Sequence, residues 1–241
     1  MTKFLNPTEA KLEKLSGKIT RYRCSRSSAS FVLSRNDQQA MGIVAIAAAL
    51  GGLGGQATSV AGHANDIEEA ADYLDLDIGG KIAKGWVWQS PFRENDIVDV
   101  AARWQGEHYE IYGIARPVDR TIALYPHCSR TKTRHIKSVL KWWIICNTLF
   151  FGSLMAWYVY LDGFNLFYKP DFYWIHSILM AVFILMFYSL SKKFMPFVNL
   201  AEKIFKTLGL PNAQNIDLVK SSKAQRTAED PPEFGTFYFR Y

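Results

Sequence analysis

Two uncharged stretches near the middle of the chain place the strongest constraint on its fold. Residues 142–161 (WWIICNTLFFGSLMAWYVYL) contain no charged side chain, and residues 172–190 (FYWIHSILMAVFILMFYSL) contain only His176 as a base. A helix of about 20 apolar residues crosses roughly 30 Å of hydrocarbon. Neither stretch has the polar face that a core helix of a soluble protein keeps. The sequence therefore predicts two membrane-spanning helices.

The residues that flank the two stretches predict their orientation. Aromatic side chains favour the headgroup layer, and Lys and Arg accumulate on the cytoplasmic side of a span. The short connection, residues 162–171, carries only Asp162, Lys169 and Asp171 as charged residues. We therefore predict a multi-pass protein with both termini in the cytoplasm. The residues expected at the membrane interface are Arg130, Lys132, Arg134, Lys137, Lys141, Trp142, Trp143, Lys192 and Lys193.

The length of 241 residues accommodates one soluble domain and a membrane anchor. We predict a cytoplasmic β-rich domain over residues 1–130 and a transmembrane hairpin over residues 131–193. Residues 194–241 are expected to form a cytoplasmic tail with a short helix and a terminal strand. The predicted fold class is an α+β membrane protein whose small antiparallel barrel-like domain has a helical insertion and is followed by a two-helix transmembrane hairpin.

The β-rich domain is predicted from alternating apolar residues and from β-branched and aromatic residues. Residues 15–24 and 30–35 are predicted to form a hairpin across a turn rich in Ser and Arg. Four further strands are predicted over residues 81–91, 96–105, 108–117 and 120–126. The short strand spacing is similar to that of oligonucleotide-binding-fold-like barrels, and also to that of other small β folds.

A helical insertion is predicted at about residues 38–76. It begins with an uncharged Gly/Ala-rich stretch, residues 40–62, and ends with an acidic helix over residues 65–76. Ala and Gly contribute little to membrane insertion, so a soluble helix or helical hairpin is the expected structure of the stretch. Its small side chains also fit an element that packs on the membrane spans or inserts into a bilayer. The glycines expected to serve such packing or insertion are Gly42, Gly51, Gly52, Gly54 and Gly55.

Charge and cysteine content narrow the expected partners. The net charge of +6 and the pI near 9.1 fit a basic surface held against anionic lipid. Tryptophans interleaved with basic residues would also fit single-stranded nucleic acid, but the membrane anchor already accounts for most of the positive excess, so nucleic acid is disfavoured. Three widely separated cysteines give neither a disulfide framework nor zinc spacing.

Residue patterns that would indicate an enzyme are weak. His127 and Cys128 are adjacent in sequence, but an acyl-transfer pair is defined by spatial geometry and not by adjacency. The chain has no phosphate-binding glycine loop followed by Lys and Ser or Thr, and its histidines lack metal-ligand spacing. We expect neither catalysis nor a cofactor or metal.

One segment resembles a known family. Residues 85–130 (GWVWQSPFRENDIVDVAARWQGEHYEIYGIARPVDRTIALYPHCSR) followed by two spans are similar to bacterial two-span membrane proteins of the type VI secretion system effector class. The matching residues are Ser90, Pro91, Phe92, Arg93, Glu94, Asp96, residues 114–117 and residues 125–130.

The resemblance implies a bacterial inner-membrane protein of interbacterial competition. As an effector it would act on the target membrane without covalent chemistry. The alternatives are a membrane-resident immunity or anchoring protein that binds a toxin, and a membrane-tethered regulatory β-barrel. The expected partners are the lipid bilayer and a cognate effector, immunity protein or chaperone, and the sequence permits an oligomer.

Overall fold

The structure is a computed structural model that describes residues 11–29, 31, 69–163 and 170–241. Within these residues the chain forms seven strands and three helices. They are β1 (Glu13–Ala29), β2 (Glu69–Ile78), β3 (Lys81–Val87), β4 (Ile97–Trp104), β5 (Tyr109–Arg116), β6 (Thr121–Leu124), α1 (Lys132–Asp162), α2 (Pro170–Leu208), α3 (Leu218–Gln225) and β7 (Tyr238–Arg240).

Five of the strands close into a barrel. The long strand β1 pairs antiparallel with β4 through its first half and with β2 through its second half. Strands β2 and β3, and strands β4 and β5, are antiparallel neighbours, and a parallel pairing of β3 with β5 closes the barrel. Strands β6 and β7 extend the sheet beyond β5. The predicted small β-barrel and the α+β class are confirmed, although the closing pair is parallel.

The barrel interior is filled by residues that alternate along the strands. Leu74, Leu76 and Ile78 of β2 point inwards and are almost fully buried, and Val98 and Val100 do the same on β4. A register shift between Ile19 and Arg21 bends β1 where it passes from one partner strand to the other. The period of two thus explains both the strands and their core.

The predicted hairpin in the first 35 residues is wrong where the structure describes it. Residues 13–29 form one strand, and Ser25, Arg26 and Ser27 of the expected turn pair with β2. A turn rich in Ser and Arg is a weak signal, because a partner strand that satisfies the same backbone groups overrides it. Residues 30 and 32–35 lie outside the described residues.

The acidic helix predicted over residues 65–76 is also wrong, since residues 69–78 form strand β2. In its second half Asp75 and Asp77 face outwards and alternate with the buried Leu74, Leu76 and Ile78. On the outer face Asp75 meets Arg21 at 3.0 Å and Lys84 at 3.7 Å. The rest of the predicted insertion, including the Gly/Ala stretch, lies outside the described residues. The strands predicted over residues 81–126 are confirmed as β3 to β6.

Helices α1 and α2 lie side by side in opposite directions. Phe150 of α1 lies against Phe183 of α2 with ring centroids 4.9 Å apart, and Tyr158 meets Phe172 further along the pair. Both helices are long and apolar enough to cross a membrane. Almost no residue of their most apolar stretches is buried, in contrast to the core helix of a soluble protein.

The second half of α2 packs on the outside of the barrel. Leu200, Ala201, Ile204 and Phe205 are buried in a second apolar core. Gly113 of β5 permits this approach, because a Cβ there would lie 2.7 Å from the Cγ2 atom of Ile204. Residues 194–241 are therefore joined to the barrel. The other residues of the second core are Ala101, Ala115, Ile122, Leu124, Cys128, Leu208, Leu218 and Phe239.

Candidate functional site

The two ends of the helical segment meet at one place beside the barrel. The backbone N–H and the side-chain hydroxyl of Thr131 both donate to the carbonyl of Ile216 at 3.1 Å, and Arg130 Nε lies 3.3 Å from the carboxylate of Asp217. Asp217 also caps α3 by accepting from the N–H of Lys220 at 3.1 Å. The chain thus leaves the barrel for α1 and returns from α2 at a single fixed junction.

The residues predicted at the membrane interface fall into two groups. Arg130 and Arg134 have structural partners, since Arg130 pairs with Asp217 and Arg134 Nε donates to the carbonyl of Asn215 at 3.4 Å. The remaining cations are exposed along the first turns of α1 and the middle of α2, and Trp142 is exposed above them. Those exposed cations are Lys132, Lys137, Lys141, Lys192 and Lys193.

The structure brings the cations of α1 and those of α2 to the same level. His135 of α1 lies next to Ser191 of α2, with 3.5 Å between His135 Nε2 and Ser191 Oγ. Lys192 and Lys193 follow Ser191 directly, and Lys137 and Lys141 lie within two turns of His135. The remaining predicted interface residue, Trp143, is half-buried, and its carbonyl accepts from Asn147 Nδ2 at 2.8 Å. The predicted packing glycines, Gly42, Gly51, Gly52, Gly54 and Gly55, lie outside the described residues.

His127 and Cys128 do not face each other. His127 has a left-handed φ of 65°, and its Nε2 lies 2.8 Å from Glu69 Oε2 while its ring contacts Trp88. Cys128 is fully buried in the second apolar core, where burial raises the pKa of its thiol far above the ordinary value. A thiol held neutral in an apolar core is a poor nucleophile. Both side chains therefore hold the junction between β6 and the helices together.

A polar cluster that sequence reasoning missed lies at one end of the barrel. The carboxylate of Asp72 is buried, pairs with Arg26 at 3.1 Å and accepts the backbone N–H of Ser90 at 2.8 Å. Tyr22 donates its hydroxyl to Ser90 Oγ at 2.8 Å, and burial raises the pKa of that phenol. The alternation of buried residues along β2 is the sequence signal that could have placed Asp72 inside the barrel. The adjoining cavity of about 270 Å³ is lined by Arg26, Glu69, Ala70, Trp88 and Phe237.

Four residues of the segment from which the sequence predicts a family resemblance contact neighbouring parts of the barrel. Ser90 accepts the hydroxyl of Tyr22, as described above. Glu94 accepts the backbone N–H of Tyr22, and Asp96 pairs with Arg116 at 2.7 Å. Arg116 also lies over the ring of Phe92. These contacts join the β3–β4 connection to β1 and β5. Ser90, Phe92, Glu94 and Asp96 therefore have structural partners.

The described residues contain no group of three or more His, Cys, Asp or Glu side chains that could hold a metal ion. Comparisons of the chain with known protein families, curated proteins and solved structures found no match.

Proposed function

We propose that this chain is an integral membrane protein anchored by α1 and α2. The main support for this proposal is the exposure of large apolar side chains along both helices. Leu149, Trp174 and Leu185 are 68%, 71% and 66% exposed. Exposed apolar surface costs about 25 cal/mol per Å² in water, and hydrocarbon removes that cost. An aqueous environment would leave two long apolar helices uncovered, whereas a bilayer covers them.

The proposed orientation places both soluble segments on the cytoplasmic side of a bacterial inner membrane. The barrel and residues 194–241 share the second core, so they lie on the same side of the hairpin. The basic residues of α1 and α2 at that end support the cytoplasmic side. The connection between the helices then faces outwards.

Topology reporters test this placement in the full chain. A reporter at Tyr241 should show a cytoplasmic location, and one inserted between Gly163 and Lys169 should show an external one. Neutral replacement of Lys132, Lys137 and Lys141 should weaken the orientation. Reporters on the same side of the membrane would contradict the hairpin.

We further propose that the protein acts in type VI interbacterial competition without covalent chemistry. The resemblance of residues 85–130 supports that setting. A five-stranded barrel suits binding, since small barrels of this kind bind ligands on their faces and loops. The effector role predicts membrane activity in a target cell through insertion of the hairpin.

One observation favours the second role, that of a resident immunity or anchoring protein. Ile204 and Phe205 of α2 are fully buried against the barrel, so the hairpin and the barrel form one packed unit that stays at the membrane. A secreted effector would need a chaperone to cover the same helices before export. A regulatory barrel would use the same arrangement outside any competition system.

Expression of the full chain with and without an export signal separates these roles. An effector should stop growth and collapse the membrane potential when it is exported. An immunity protein should be harmless in both forms and should protect against one toxin of the producing strain. Harmless expression without protection from any such toxin would favour the regulatory barrel.

A further inference from the structure

A basic groove lies at the foot of α1, next to the junction of helices and barrel. Its volume is about 390 Å³, and three cations line it: Arg120 from the β5–β6 turn, Arg134 from the first turn of α1 and Lys220 from α3. The wall between them is largely apolar and includes Leu210 and Tyr241. Elements far apart in sequence therefore build one pocket with charged and apolar walls.

The three cations of the groove are not paired with the acidic side chain in its lining. Asp217 is the acidic residue of the lining, and its carboxylate is engaged by Arg130 at 3.3 Å and by the N–H of Lys220 at 3.1 Å. The three lining cations form no ion pair with any carboxylate in the described part of the chain. Arg120 lies over the ring of Tyr241, 5.4 Å from its centre, and Arg134 donates to a backbone carbonyl. Neutral partners thus position two of the cations while leaving their charge for a ligand.

The groove lies close to the proposed membrane surface. Arg134 precedes Trp142 by eight residues on the same helix, which is about 12 Å along its axis. Tryptophan at the end of a span marks the headgroup layer. The groove therefore lies about 12 Å along the α1 axis from the expected headgroup layer, on the side of the membrane that holds the barrel.

We propose that the groove binds the phosphate group of an anionic phospholipid from the adjacent leaflet. Arg120, Arg134 and Lys220 would hold the phosphate through charge-assisted hydrogen bonds, which are about twice as strong as neutral ones. The apolar wall would cover the glycerol and the first acyl carbons, which a free phosphate lacks. This inference rests on the proposed membrane placement and adds a lipid site to it.

The test measures binding of short-chain phosphatidylglycerol to the full chain in detergent, with short-chain phosphatidylcholine as the neutral lipid. The groove variant is Arg120→Gln with Arg134→Gln and Lys220→Gln. The matched control is Lys18→Gln with Arg23→Gln and Lys81→Gln, which removes three exposed cations from β1 and β3. Each cation near lipid contributes about 1 kcal/mol, so the groove variant should bind phosphatidylglycerol at least about tenfold more weakly. The control should bind it as the unchanged protein does.

Two further measurements distinguish the alternatives. Lys220→Gln alone changes an exposed side chain outside the cores, so it should fold and still weaken binding about threefold or more. Inorganic phosphate and glycerol 3-phosphate at millimolar concentration should not displace the lipid. Equal losses in groove variant and control would show nonspecific surface charge and overturn the site. Displacement by inorganic phosphate would overturn the lipid as its ligand.

Membrane flotation of the same protein after an alkaline wash keeps the two proposals separate. Release from the membrane would contradict the anchor, while binding of short-chain lipid in detergent still reports on the groove. A firmly anchored protein with no preference for phosphatidylglycerol over phosphatidylcholine would overturn the groove and leave the anchor standing.

Discussion

Gly85 offers the sharpest test of how the barrel closes. It is paired with Ile111 in the short parallel seam between β3 and β5, where Ala83, Lys84 and Gly85 face residues 109–111. A Cβ at Gly85 would lie 2.5 Å from the carbonyl oxygen of Ile111 and 2.8 Å from its nitrogen. Backbone atoms cannot rotate away as a flexible side chain can. We expect Gly85→Ala to force the two strands apart.

The magnitude follows from the size of that displacement. Ordinary contact begins at 3.4 Å, so the strands must separate by about 0.9 Å at the closest atom. Overpacking of this kind costs about 1–3 kcal/mol, and each weakened backbone hydrogen bond of the seam costs about 1 kcal/mol more. A loss of about 3 kcal/mol would lower the Tm of a chain of this size by about 6–12 °C.

Thermal unfolding of the full chain in detergent, followed by tryptophan fluorescence, measures the effect, because Trp86 and Trp88 follow directly after the seam residues of β3. The matched control is Gly152→Ala in α1, where an added Cβ meets nothing within 4 Å. Alanine is the better helix residue, so the control should unfold at the same or a higher temperature. Alanine is also the better strand residue in general, so an unchanged or raised Tm for Gly85→Ala would refute the reasoning about closure.

Two further changes test a buried thiol and a surface ion pair. Cys128→Ser should lower the Tm more than Cys128→Ala does, because a hydroxyl without a hydrogen-bond partner in the second apolar core costs about 1–3 kcal/mol. A serine variant more stable than the alanine variant would show that a polar partner exists there. Burial opposes ionisation of Asp119, but hydrogen bonds from Arg116 and Thr121 outweigh it and hold the pKa at about 2. The stability that Asp119 contributes is therefore present above its ordinary pKa near 3.8 and is lost as the pH falls towards 2. Denaturant titrations should show a smaller loss between pH 4 and 2 for Asp119→Asn, and an identical pH profile would contradict the pairing.

Strands were predicted well where a period of two was combined with β-branched and aromatic residues. Strands β4 and β5 have this pattern, and their ends were predicted to within one or two residues. Strand β2 was missed because its Glu, Asp and Ala content favours a helix, although its leucines alternate with acids. Partner strands decide such cases, since Asp72 and Asp75 are paired with Arg26 and Arg21 of β1. Composition alone carries no information about that pairing.

The sites were less predictable than the strands because they depend on residues far apart in sequence. The junction joins Thr131 to Ile216, and the groove joins Arg120 to Lys220. The basic residues of α1 were recognisable by their position before a span. Their division into structural and exposed side chains was not, because it depends on Asn215 and Asp217 in a connection that has no sequence motif.

The continuity of α2 shows why the soluble and apolar parts of the chain belong together. Lys192, Lys193 and the following Pro196 indicate the end of a span, yet the helix continues through Pro196 to Leu208. Proline inside a helix costs about 3 kcal/mol. Burial of one large apolar side chain contributes about 1.5–3 kcal/mol, so Ile204 and Phe205 together offset that cost. Packing on the barrel therefore keeps the last turns helical, and a continuous helix fixes the barrel and its basic groove at one distance from the proposed membrane surface.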